Sequence, residues 1–228
     1  MSASPNPVPG PPCRREVLVA GASLLIAGCA ATRSEGMASG TDAEAEVTPG
    51  EDLMQEHGVL ERLLLVYEEA ARRLEGGEPL DPVVVTEAAG IVRRFVEDYH
   101  ERLEEQFVFP RLVAAGREAG LVDVLRRQHE RGRQLTETIR AGAPDGRALA
   151  PRLREFSRMY RPHAAREDTV LFPAFRGVVG RVEYRELGEA FEDHEHELLG
   201  PHGFERTVAE VAALEAALGL EDLARFTP

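Results

Sequence analysis

Thiols are nearly missing from this chain. Its 2 cysteines, Cys13 and Cys29, both fall near the N-terminus, and the rest of the 228 residues contain none. Beyond them neither a disulfide framework nor thiolate ligation is open, so a metal would have to be held through nitrogen and oxygen. Positive charge is also in deficit. With 27 Lys+Arg against 40 Asp+Glu the formal net charge is −13, which excludes the positive footprint that nucleic-acid binding needs. Lysine itself is absent, every cation apart from histidine being arginine; no function is read from that bias. The apolar run from Val17 to Ala27 is too short to span a bilayer. Nothing in the composition resembles collagen, disorder or a disulfide scaffold, and 43% hydrophobic side chains suffice for one sizeable core.

The N-terminus carries processing signals. Arg14-Arg15 precede the apolar run, which ends in small residues, in the order of an export signal. The stretch resembles a twin-arginine signal, with Cys13 and Val17 departing from its usual pattern. Leu25-Ile26-Ala27-Gly28-Cys29 is similar to a lipoprotein lipobox, in which Cys29 would be lipidated. The expected division is an export signal over 1–29, a flexible linker over 30–50, a helical bundle over 51–176 and a helical extension over 177–228. The predicted location is the periplasm or the outer face of the membrane, with membrane contact only through a lipid anchor at Cys29. A soluble form cleaved near Ala30 or Ala31 is the alternative.

The most informative stretch occurs twice. His100 to Pro110 and His163 to Pro173 share the pattern H-x-x-x-E-[ED]-x-x-[VL]-F-P without insertion. On a helix, a His and the Glu four positions later lie one turn apart on one face, so each copy directs a nitrogen and a carboxylate toward one point.

Apolar residues recurring at steps of three and four predict the helices that carry these copies. The first, 51–75, places His57 in its core stripe; the second, 82–109, places His100 and Glu104 inward and is expected to stop at Pro110. The third, 118–140, carries His129 inward with Gly132 leaving space one turn on. The fourth, from Leu149 past Ala174, carries His163 and Glu167 and should kink at Pro162. Short connections make these an all-α, up-down-up-down four-helix bundle, with additional C-terminal helices over 183–199 and 204–218 packing on it.

Four inward histidines, two with a carboxylate four residues on, change the meaning of each. Two buried carboxylates without a cation would cost several kcal/mol each. A pair of metal ions resolves that cost, and imidazole with bridging carboxylate suits iron or manganese better than zinc or calcium.

At these residues the chain resembles the hemerythrin-like, or HHE cation-binding, family, over roughly 51–175. The resemblance implies a four-helix bundle around a non-haem diiron centre, with two Fe per chain, or Mn, as cofactor. It implies ligands at His57, at His100 and Glu104, at His129, and at His163 with Glu167 or Asp168. Two departures are visible. The oxygen carriers of the family have a second third-helix histidine where Arg133 stands, and their last carboxylate falls at the position of Asp168 whereas the HHE variants use that of Glu167. Glu101, on the arc of His100 and Glu104, becomes a substitute ligand.

The implied partner is a diatomic ligand or peroxide, with sensing, iron handling and peroxide removal all compatible; a binding protein is expected over an enzyme. The alternatives are a diiron enzyme on this scaffold, peroxide reductase or oxidase, and a metal-free envelope interaction protein. A ferritin-like oxidase would need Glu-x-x-His on two helices, and only Glu97-Asp-Tyr-His100 fits. Glu105 reads as a supporting or surface group, and Tyr99 and Tyr160 as possible hydrogen-bond partners of ligands. His194 and His196 sit on a solvated acidic face with Glu192 and Glu195, and His202 follows a Gly-Pro break.

Overall fold

The computed structural model describes residues 47–142 and 148–227; the export signal, Cys29 and most of the linker lie outside them. Helix α1, Pro49–Gly76, begins with a reciprocal cap in which Thr48 Oγ1 accepts from the Glu51 N–H and the Glu51 carboxylate accepts from the Thr48 N–H. Such a cap contributes about 1 kcal/mol and sets the start two residues before the apolar stripe implies. Gly77 ends it at φ 67, a left-handed conformation that glycine adopts without steric cost.

The second helix, α2, runs from Pro82 to Ala114 without a break, so Pro110 does not stop it. The reason is a widening of the helix. Residues 92–100 and 104–108 form π turns, and the N–H of Phe109 reaches back five residues to the carbonyl of Glu104. Pro110 then enters at the start of a fresh α-helical register, where a missing N–H costs little. Arg111 Nη1 donates to the Phe107 carbonyl at 2.9 Å. The second copy repeats this device: residues 167–171 form a π turn in which the Phe172 N–H bonds the Glu167 carbonyl, and Pro173 follows.

Helix α3 is Ala119–Arg140, and α4 runs over 150–178, passing through Pro162 with no break in the helix. Two further helices, α5 (Arg181–Leu199) and α6 (Gly203–Leu218), and a 3-10 turn (Leu223–Phe226) complete the described chain. With α1 to α4 joined by short connections, neighbours run antiparallel as a four-helix bundle with additional C-terminal helices. No helix among the described residues is long and apolar enough to cross a membrane.

One core serves the bundle and the extension. Phe156 stacks on Tyr160 at 4.4 Å between ring centroids and meets Tyr67 edge-on at 5.4 Å. From the extension, Leu187, Phe191, Val211, Leu214 and Leu218 are buried, and Phe191 packs on Phe107 of α2 at 5.6 Å. Arg62 of α1 clasps Glu215 of α6 with two hydrogen bonds of 2.9 and 2.6 Å.

Candidate metal centre

Midway along the bundle the apolar core gives way to six polar side chains, one or two from each of the four helices. Glu104, His129 and Glu167 are fully buried, and His57, His100 and His163 are no more than 5% exposed. Each glutamate reaches two imidazoles. Glu104 Oε2 lies 3.8 Å from His100 Nε2 on its own helix and 3.4 Å from His129 Nε2 on the next. Glu167 Oε2 lies 3.1 Å from His163 Nε2 on its own helix and 3.4 Å from His57 Nε2 on the first. His57 and His100 approach within 3.1 Å, Nε2 to Nε2.

The other edge of every ring is engaged. His57 Nδ1 meets Asp168 Oδ1 at 2.7 Å, His100 Nδ1 meets Glu56 Oε2 at 2.6 Å, His129 Nδ1 meets Glu105 Oε1 at 3.0 Å, and His163 Nδ1 meets Gln128 Oε1 at 2.9 Å. An oxygen at each Nδ1 holds the proton there and leaves each Nε2 lone pair directed inward, as metal-binding histidines require. The pattern has approximate twofold symmetry. The residue before His57 supports His100 and the residue before His129 supports His163, while the residue after Glu104 supports His129 and the residue after Glu167 supports His57.

Several of the inward atoms lack partners of their own. Both oxygens of Glu104, both of Glu167 and His129 Nε2 are buried without a hydrogen bond. Burial, reinforced by the Glu167 charge, pushes the Glu104 carboxyl well above its ordinary range; burial acts the same way on Glu167, but His163 and His57 outweigh it and hold Glu167 well below. Burial holds His129 down to about 4. It also opposes charge on His57, yet Asp168 and Glu167 overcome it and raise the ring to about 9. The interior therefore asks for positive charge where Nε2 and carboxylate atoms converge. Ligand atoms of Glu104, His129, His163 and Glu167 gather within reach of one ion, and those of His57, His100 and Glu104 within reach of another. The residues present fit a pair of cations with Glu104 common to both groups.

Residues 48–175 match the family described as hemerythrin HHE cation binding domain. The chain belongs to that family. An uncharacterized protein of Mycobacterium tuberculosis and one of Mycobacterium bovis are each 47% identical to this HHE chain over 195 residues, covering 82% of it and 76% of their own length. No solved structure matches.

Not every predicted ligand faces the centre of the HHE bundle. Asp168 is half-buried on the Nδ1 side of His57. Glu101 is buried, but Tyr160 Oη donates to its Oε1 at 2.6 Å and Arg133 Nη2 pairs with its Oε2 at 2.7 Å; its nearest site histidine atom is His129 Nδ1, at 4.0 Å. Arg133 also donates to Glu105 Oε1 at 2.7 Å. That guanidinium thus pairs with two acids beside His129: at Glu105, burial is overcome by His129 and Arg133, which hold the carboxyl down to about 2, while at Glu101 burial prevails and pushes it up to about 8. Space for Tyr160 comes from Gly132, where a Cβ would overlap the phenol hydroxyl. Glu97 takes no part: Thr136 Oγ1 donates to it at 2.5 Å and Arg93 pairs with it at 2.6 Å.

Glu56 and Gln128 are the supporting residues that periodicity misses. Each adjoins a core histidine in sequence while supporting a different one, and a polar residue beside a core histidine was the only available sign. His202 and His196 are exposed, and His194 packs edge-on against Phe107 at 5.3 Å.

Proposed function

We propose that this HHE protein holds two iron ions in the bundle: His57 and His100 would hold one, His129 and His163 the other, and Glu104 and Glu167 would serve both. The sharing of each glutamate between imidazoles of both halves, with no other donor to either, carries this reading. Manganese satisfies the same nitrogen and oxygen set, but carboxylate bridges with four imidazoles favour iron for ligand chemistry. Reduced iron held here would supply an open coordination position and electrons for dioxygen, peroxide or nitric oxide.

The protein determines where such a ligand arrives. On the His129 side, Glu101, Arg133 and Tyr160 form a closed ion-paired layer. In the other half Ala164 stands in the place of Glu101, and there a recess of about 320 Å³ opens against His57, lined by Gly58, Ala164, Ala165 and Asp168. The two metal positions are therefore unequal, and a small ligand binds at the one beside His57. We assign the protein a role in binding or sensing these ligands in the cell envelope; the export reading rests on Arg14-Arg15 and the stretch ending at Cys29.

The test is an absorption spectrum of the anaerobically reduced, iron-loaded protein as it meets oxygen, peroxide or nitric oxide in turn. A reversible spectral change with oxygen or nitric oxide supports binding or sensing. Sustained consumption of peroxide assigns the site to an enzyme instead, and a protein that takes up no iron removes the reading.

A further inference from the structure

A second cluster of carboxylates, in a cavity separate from the recess at His57, opens to solvent where α1 meets α5 and α6. Asp52, Glu192, Glu195 and Glu205 line a pocket of about 230 Å³, together with Val47, Gly188 and Phe204. No arginine lines it, and none of the four acids forms an ion pair among the described residues. In a chain where most partly buried acids are clasped by arginine, as Glu69 and Glu215 are, this grouping stands apart. Like charges so placed repel, and burial together with Glu56, Glu195 and Glu192 raises Asp52 to about 8.

The cluster continues inward. Asp52 and Glu56 are four residues apart on one face of α1, so Glu56, only 2% exposed, lies one helical turn beyond the Asp52 that lines the pocket. Glu56 Oε2 reaches His100 Nδ1 at 2.6 Å, and its charge is close enough to act on Glu104. Beside them Tyr99, 1% exposed, turns its phenol oxygen toward Glu56 without completing a well-formed hydrogen bond, and Glu56 and Asp52 are the charges that act on it most strongly. A buried hydroxyl left unpaired costs about 1–3 kcal/mol, so its orientation toward the acids marks a place where a further polar species is accommodated. The pocket acids do not converge on one point: among the described residues they belong to no group of side chains whose ligand atoms gather around one ion. They attract a cation without retaining it.

From this arrangement we infer that the pocket is the admission route for the metal, drawing hydrated divalent cations in by charge and passing them along Asp52, Tyr99 and Glu56 to Glu104. The inference rests on the two-metal reading above. Its chemistry is that of oxygen ligands, which exchange rapidly with water and suit a transit path, leading to nitrogen ligands that retain the ion.

The test follows Co²⁺ uptake by the metal-free full chain, using the visible absorption of the bound ion, in the wild type and in a Glu192→Gln/Glu195→Gln/Glu205→Gln variant. Each glutamine keeps the shape of its glutamate, and at position 195 its side-chain oxygen still accepts the Phe204 N–H. The wild type is expected to fill with two Co²⁺ per chain at a rate that falls steeply with added salt. The variant reaches the same stoichiometry ~5-fold or more slowly, with a weaker salt dependence, because the steering field is gone. A Glu75→Gln/Glu78→Gln/Glu137→Gln control, which removes the same charge from exposed acids that do not line the pocket, leaves the rate unchanged. Equal rates and salt dependence in wild type and pocket variant overturn the inference while leaving the two-metal site intact, as does an equal slowing in the control variant. A wild type that binds no Co²⁺ overturns the two-metal reading itself.

Discussion

Asp168 and His57 form a hydrogen-bonded pair at 2.7 Å on the edge of the imidazole that faces away from the bundle centre, while the adjacent Glu167 approaches the opposite nitrogen at 3.4 Å. Two consecutive acids thus serve one ring in different ways. Asp168→Asn is expected to keep both metal ions but to weaken the site about 10–100-fold, because it loosens a ring without removing a ligand. Glu167→Gln removes charge from both positions and is expected to abolish stoichiometric binding. Competition with a chromophoric chelator measures both; equal losses would place Asp168 among the ligands.

Gly132 and Tyr160 occupy the same space. Alanine at 132 would place its Cβ 2.7 Å from Tyr160 Cζ, pushing the ring off Glu101. Gly132→Ala is expected to destabilise the fold by roughly 1–3 kcal/mol in urea denaturation, as overpacked cores do. Tyr160→Phe removes the overlapping hydroxyl, so the double variant should lose less than the sum of the two singles. Strict additivity would show that the contact is not what limits residue 132.

Glu69 gives a pH signature independent of the metal. Arg72, with Arg73 behind it, holds its carboxyl down to about 2, below the ordinary value of 4.5. The sign follows: the folded state binds the proton less readily, so the stabilisation is present above pH 4.5 and fades as pH falls toward 2. Solvent screening limits it to about 1 kcal/mol or less. Glu69→Gln is expected to lower stability at pH 7 and to converge on the wild type as pH falls from 4.5 toward 2, as measured by urea denaturation of metal-free protein. A difference that grows on acidification would contradict the assignment.

His100 sits between Glu104 and Glu56, and its removal should unload one metal position. His100→Ala is expected to bind fewer metal ions and to melt at a lower temperature than wild type when both are metal-loaded, since binding to the folded state adds to stability. Unchanged metal content in this variant would remove His100 from the site.

Much of this was legible before any coordinates. Steps of three and four located the four bundle helices and set His57, His100, His129 and His163 inward, because burial imposes helical periodicity on sequence. The duplicated stretch announced the symmetry of the centre. Periodicity cannot register π turns, so Pro110 read as a stop when the widened helix from Glu104 to Val108 carries the chain past it. Nor can it tell which neighbour a polar side chain will choose. Glu101 shares an arc with His100 and Glu104, but Arg133 and Tyr160, distant in sequence, hold its carboxylate. Glu56 and Gln128 leave no periodic sign, because the rings they support belong to other helices.

The central claim is that Glu104 and Glu167 are common to two metal positions, each completed by two histidines. Its most direct test is an anaerobic titration of metal-free protein with ferrous iron, with iron per chain determined after removal of the excess, in wild type and in a His57→Ala/His100→Ala variant. The account predicts two irons per chain in the wild type and one in the variant, retained by His129, His163 and the two glutamates. A wild type saturating at one iron or none, or a double variant still holding two, would contradict it.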